Sequence, residues 1–232
     1  MDSVGAAADT GTCVGRICQL WHDGGEDALA LQDAISRAEA ESSTTCPQAN
    51  HVTAAAWATA YAGDPRNAGV VVAKRQEAEV TLSLPAPPEF AEPGGPPPDP
   101  ITLIGHVDQI RRGIAGWEVW DLKSGRPTGR DMVLDYAWQL AAYAVACTET
   151  WGKPVRPGGI IRLRGYDSPG TTGVMYPVTW SLEQCRVMLD TAAYRVSELR
   201  RGIVAMTPGR QCLWCPGIDP GQCGEHIDAV LG

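Results

Sequence analysis

Gly105-His106-Val107-Asp108-Gln109-Ile110, then Glu118-Val119-Trp120-Asp121-Leu122-Lys123-Ser124-Gly125, then Trp138-Gln139-Leu140-Ala141-Ala142-Tyr143-Ala144: these three stretches decide how the chain reads. The first two have strand character and the third is helical. Asp121 and Lys123 are two apart on a strand, so both point to one face and Leu122 to the other. A hairpin turning at Arg112-Gly113 sets Asp108 on the preceding strand, at cross-strand range of Asp121. Two carboxylates and a lysine on one face suit a hard divalent cation, Mg²⁺ or Mn²⁺. Such a cation lowers the pKa of water and polarises a phosphoryl oxygen, and a lysine can stabilise the charge that builds there. Gln139 and Tyr143, four apart on a helix, share a face and can donate hydrogen bonds to a phosphate. Each piece alone is ordinary. Asp-x-Lys is commonly an exposed ion pair, Gly-x-x-Asp fits a turn, and Gln-x-x-x-Tyr is a plain helix face. The force lies in their order: strand, strand, helix.

Outward from this centre, residues 24–41 read as a polar helix with a thin stripe of Leu31, Ile35 and Ala38. Residues 42–50 read as a loop, and 51–62 as an alanine-rich helix ending at Gly63. Residues 70–84 form one long strand or two short ones. In the stretch 85–100 half the residues are proline, which excludes a helix or central strand and leaves an exposed loop. Strands follow over 101–110 and 117–123, a helix over 132–150, and strands over 159–164 and 173–179. A long helix spans 182–201. The expected fold is α/β (α+β): a mixed central sheet flanked by helices. The chain divides into a domain over 1–207, with N-terminal helices 24–62 and a core 70–207, and a cysteine-rich tail over 208–232.

The 232 residues suffice for one sizeable core plus an appendage. No apolar run is long enough to span a membrane. The acidic start lacks the layout of a secretory signal, so the expected address is the cytoplasm. The net charge of -8 argues against a nucleic-acid partner, but it is unevenly spread. Residues 1–100 hold 5 basic and 14 acidic groups; residues 101–232 hold 14 and 13. The later basic groups include Arg111, Arg112, Lys123, Arg126, Arg130, Arg162 and Arg164. A bound divalent cation would offset nearby carboxylates further.

The three stretches resemble the second, third and fourth motifs of the PD-(D/E)XK nuclease superfamily. The similarity is nearest to the RecB-like exonucleases, including CRISPR-associated and phage-encoded members. It covers roughly 70–226. The resemblance implies a restriction-endonuclease-like core that hydrolyses DNA. Asp108 and Asp121 become metal ligands, Lys123 the catalytic lysine, and Gln139 with Tyr143 the helix pair. It also implies a glutamate on the preceding strand, where Glu79 fits and Glu77 shares its face; a solvated strand end is the alternative. The family carries a Gly-x-x-x-His pattern in an N-terminal helix. Neither His22 nor His51 follows glycine at that spacing, and each reads as an ordinary satisfied histidine. Protein partners in recombination or CRISPR adaptation also follow from the resemblance. The alternatives are a non-catalytic nucleic-acid-binding or scaffold module and a restriction-type endonuclease.

Cys147 and Cys185 sit alone in helical segments and read as small core residues. Cys212, Cys215 and Cys223 have metal-ligand spacing. The tail resembles that of RecB-like nucleases in which a [4Fe–4S] cluster joins three C-terminal cysteines to one N-terminal cysteine. Cys46, followed by Pro47, is the favoured fourth ligand, ahead of Cys18 and Cys13. The alternative is a local zinc site of Cys212, Cys215, Cys223 and His226. Three unused cysteines in the N-terminal region favour the cluster.

Overall fold

The computed structural model describes residues 2–67, 78–113, 115–124, 133–134, 136–163 and 174–201. Three helices open the chain: α1 (Asp2–Gly24), α2 (Ala28–Thr45) and α3 (His51–Ala62). The strands are β1 (Ala78–Leu84), β2 (Ile101–Val107), β3 (Gln109–Gly113) and β4 (Gly116–Lys123). Helix α4 (Ala137–Trp151) crosses over to β5 (Val155–Arg162); β6 (Val174–Pro177) and α5 (Leu182–Arg200) follow.

The four-stranded sheet runs β3-β4-β5-β6, with β4 and β5 parallel and the outer pairs antiparallel. Strands β1 and β2 form a separate antiparallel pair. One sheet face, carrying Trp120, Ile161 and Leu163, packs on the buried Cys13, Val14, Ile17, Trp57 and Tyr61 of α1 and α3. The other face, carrying Ile110, Val119 and Val155, packs on α4 and α5. The result is a mixed sheet between helical layers, as the sequence implied. Cys147 and Cys185 are fully buried in the second layer.

Four local readings are corrected. The helix read over 24–41 is α2 and starts later, at Ala28. Gly24 ends α1; Gly25 and Glu26, both with positive φ, break the helix, and Asp27 caps α2 by accepting from the Ala30 N–H at 2.7 Å. The strand read over 101–110 is also two: β2 pairs with β1, β3 pairs with β4, and Asp108 occupies the break. The helix read from 132 is interrupted: residues 133–134 are helical, Tyr136 is a turn, and the continuous helix begins at Ala137. The strand read from Gly159 begins four residues earlier. Its glycines are placed for close approach: a Cβ on Gly158 would strike the Trp120 indole, and one on Gly159 the Tyr176 carbonyl on β6.

Other readings hold. Helix α3 stops at Gly63 after an Asn50 cap on Thr53. The proline-rich stretch is a loop joining β1 to β2. It is tied to α5 by Arg200 donating to the Asp99 carbonyl and Arg201 to that of Phe90. Among the described residues no helix is long and apolar enough to cross a membrane.

Arg111, one of the basic groups assigned to a phosphate-facing surface, is buried instead. It donates to Gln109 Oε1 (2.9 Å), the Tyr61 hydroxyl (2.8 Å) and Asn67 Oδ1 (2.8 Å). This network locks α3 to β3. His22 joins it through Tyr61 at 2.9 Å and meets Glu26 at 2.7 Å. Both ring nitrogens are thus satisfied, as its sequence context implied. Arg126, Arg130 and Arg164 lie outside the described residues.

Candidate active site

The break between β2 and β3 is what aims Asp108. The residue leaves the ladder, and its Oδ2 accepts a hydrogen bond from the Leu122 N–H at 2.8 Å. That contact brings its carboxyl to the β4 backbone between Asp121 and Lys123. Asp121 is 1% exposed. Lys123 lies two residues on, on the same face, with Nζ 2.7 Å from Asp121 Oδ2. The ammonium also donates to Gln139 Oε1 at 3.2 Å and sits 4.3 Å from the centre of the Tyr136 ring. Gln139 Nε2 in turn donates to the Tyr143 hydroxyl at 2.9 Å. Gln139 is therefore held from behind by Tyr143 and presents its oxygen to Lys123.

Gly105 makes room for that arrangement. A Cβ there would lie 2.6 Å from Cε1 of Tyr143. Gly105→Ala is expected to displace Tyr143, cost about 1–3 kcal/mol and lower the melting temperature by several degrees. The double variant Gly105→Ala/Tyr143→Leu should lose less than the sum of the single changes. An unchanged melting temperature in Gly105→Ala would show that the ring does not need the space.

Charge in the site is unbalanced. Burial, and then Asp121, push the Asp108 carboxyl up to about 7. Burial raises Asp121 too, against the pull of Lys123. Burial disfavours the Lys123 ammonium, but Asp121 and Asp108 outweigh it and the net shift is upward. Two desolvated carboxyls face one cation. A further positive charge beside them would favour the state in which both are ionised. Asp121 Oδ2 is buried, with the Lys123 ammonium 2.7 Å away and, among the described residues, no hydrogen bond of good geometry. A buried carboxylate oxygen beside a second carboxyl, with one ammonium against the pair, fits an oxygen-preferring divalent cation.

The carboxyls open on a cavity of about 410 Å³. Asp108, Asp121, Lys123, Tyr136 and Gln139 line one side. The other side is α1, presenting Gly11, Thr12, Gly15, Arg16 and Gln19. This wall was not read from the sequence, nor was Tyr136. Helix α1 was hidden by its glycines and alanines, but Cys13, Val14, Ile17, Cys18 and Trp21 carry a helical apolar period. A second signal was available: Gly15 and Gln19 have the Gly-x-x-x-His spacing with glutamine in the last place.

Glu79 is not brought to this cavity. It stands exposed on β1 opposite His106, with the His106 ring nitrogen 3.6 Å from its carboxylate. His51 contacts Cys13 and Ser42, away from the carboxyls. Cys46 is buried and lines, with Cys13 and Ser42, a separate cavity of about 450 Å³ between α1 and α2. Glu77, Cys212, Cys215, Cys223 and His226 lie outside the described residues. Among the described residues no group of three or more His, Cys, Asp or Glu is arranged to hold a metal by itself.

The family model of the PD-(D/E)XK nuclease superfamily matches residues 2–219. The chain belongs to the PD-(D/E)XK nuclease superfamily. No curated protein matches it. The superfamily match runs from α1 through the sheet to α5 and beyond, so α1 is part of the nuclease fold and not an added arm. A PD-(D/E)XK nuclease implies phosphodiester cleavage, a divalent metal and a nucleic-acid substrate.

Proposed function

We propose that this chain is a Mg²⁺- or Mn²⁺-dependent deoxyribonuclease of the RecB-like exonuclease branch, serving DNA repair, recombination or CRISPR or phage DNA processing. The observation that carries the reading is the pairing of two desolvated carboxyls, Asp108 and Asp121, with a single lysine at the wall of an open cavity. Asp108 and Asp121 would hold the cation. When bound, it supplies Lewis acidity at the phosphate and lowers the pKa of water. Lys123, steered by Gln139 and the Tyr136 ring, stabilises negative charge growing on the phosphate oxygens. Tyr143 acts through Gln139, as a positioning residue. Helix α1 closes the far side of the cleft and limits water around the reacting phosphate. Glu79 has no part in this arrangement unless bound nucleic acid or metal draws it in.

The tail belongs to the same proposal. Cys212, Cys215 and Cys223 would bind a [4Fe–4S] cluster with Cys46. Cys46 is buried beside a cavity in the N-terminal layer; the alternative is a local zinc site of the three tail cysteines with His226. Such a cluster would join the chain ends and stabilise the fold.

The test is incubation of anaerobically purified protein with linear and circular DNA, single- and double-stranded. Linear DNA should be degraded with Mg²⁺ or Mn²⁺, circles spared, and chelator should stop the reaction. The protein should be brown, with roughly four irons and four sulfides per chain, the content of one [4Fe–4S] unit. Cleavage of circles would move the reading to an endonuclease. No cleavage of any DNA by metal-loaded protein would refute the nuclease.

A further inference from the structure

We propose that Arg162 is a phosphate-binding residue of this site, holding the nucleic-acid backbone one strand away from Lys123; the proposal rests on the nuclease reading. Strands β4 and β5 are the parallel pair of the sheet, and Lys123 and Arg162 are their last residues. The two are register partners, so their backbones lie about 4.8 Å apart and their side chains leave the same face. That face is the one carrying Asp121, which is in register with Ile160. Ile160 packs against Leu140 of α4, whereas Ile161 and Leu163, on either side of Arg162, pack into the α1–α3 layer. The Arg162 side chain is thereby directed to the catalytic side. The carboxyl ends of parallel strands are also where α/β sheets commonly hold ligands.

The decisive observation is an unmet hydrogen bond. Arg162 Nε is buried and, among the described residues, has no hydrogen-bond partner. A buried donor on a cation is costly when unpaired, and such groups in native folds call for a reason. This sheet shows what a structural arginine looks like. Arg111 on β3 gives its Nε to Gln109 and its Nη2 to Tyr61 and Asn67. Arg162 is left unlike it. Its guanidinium is a planar fork whose Nε and terminal N–H groups can take two oxygens of one phosphate. The charge balance points the same way. Lys123 is already engaged by Asp121 at 2.7 Å, and Arg162 on the neighbouring strand end adds a second positive charge toward an entering phosphate. With Lys123 and Arg162 on neighbouring strand ends, the backbone runs from the α1-walled cavity across the β4–β5 edge.

The experiment uses the full chain and three variants, Arg162→Met, Arg162→Gln and Arg162→Lys, with a labelled DNA oligonucleotide as probe. Affinity is read twice: by titration in chelator and as KM during Mn²⁺-supported cleavage. Arg162→Met and Arg162→Gln should weaken affinity roughly 10- to 100-fold, the value of one charge-assisted contact. The slope of log affinity against log salt should fall by about 0.7–0.9, one phosphate contact. Arg162→Lys should keep the slope and lose part of the affinity, since it keeps the charge without the fork. The melting temperature of Arg162→Met should equal or exceed that of the parent, because an unpaired buried donor has gone. Unchanged affinity and salt slope, or a loss of several degrees in Arg162→Met, overturns the proposal. A parent protein that neither binds nor cleaves DNA fails earlier, at the nuclease reading itself.

Discussion

Asp121→Asn is expected to cleave no DNA, to gain no thermal stability from Mn²⁺, and to melt higher than the parent in chelator at pH 8. The first two effects follow from losing one of the two carboxyls proposed to hold the cation. The third follows from charge. In the metal-free parent, two desolvated carboxyls face one lysine, and burial together with Asp121 lifts Asp108 to about 7. A carboxyl whose folded pKa exceeds its unfolded value stabilises fully below the unfolded pKa. That contribution is lost as pH rises through the folded pKa. The metal-free parent should therefore weaken between about pH 4 and somewhat above pH 7, at up to about 1.4 kcal/mol per unit. The amide variant leaves one carboxylate paired with one lysine, which flattens the decline. His22 opposes it: burial lowers its pKa, so it costs stability as pH falls below the usual histidine range. The comparison is therefore the difference between variant and parent at each pH, in which His22 cancels. Mn²⁺ should return the lost stability to the parent alone. Parent-level cleavage by Asp121→Asn would remove Asp121 from the site.

The face of the candidate site was legible because its residues are bound to regular periods. Asp121 and Lys123 face one way through strand alternation, and Gln139 and Tyr143 share a side through the helical repeat. Asp108 was found on the right side but for an incomplete reason. A continuous hairpin would have paired it across the ladder. The structure breaks the strand there and hands its carboxylate the Leu122 N–H. Nothing local in Val107-Asp108-Gln109 announces that break, because it depends on β2 joining β1 while β3 joins β4. Helix α1 was missed for the opposite reason. Its apolar stripe is regular, but Gly11 and Gly15 weaken its helical propensity; a Cβ on Gly11 would strike Ser124 across the cleft, whereas one on Gly15 would meet nothing. Arg111 shows the limit of charge counting. Its sign suggested a phosphate, and only the tertiary placement of Tyr61 and Asn67 shows the charge already engaged.

Lys123→Ala should lower kcat by roughly 10²–10³, the usual consequence of removing one donor aimed at developing negative charge. The lysine is well placed for that work. Its Nζ is fixed by Asp121 at 2.7 Å, by Gln139 at 3.2 Å and by the Tyr136 ring at 4.3 Å, yet the side chain keeps 21% exposure toward the cavity. It is held in position but not sealed off. Loss of the ammonium also removes the influence that lowers both Asp108 and Asp121. Their protons should then leave at higher pH, so the acidic limb of the kcat/KM profile should move to higher pH than in the parent. Mn²⁺ affinity at high pH should persist or rise, because a competing positive charge is gone. Lys123→Arg should not restore turnover, since a broad planar guanidinium cannot take the place of a compact ammonium between Asp121 and Gln139. The measurement is kcat at saturating linear DNA across pH, with Mn²⁺ affinity followed separately by thermal shift. An unchanged kcat with an unmoved profile would make the Asp121–Lys123 contact a structural ion pair and return the search for the catalytic cation to the neighbouring strand.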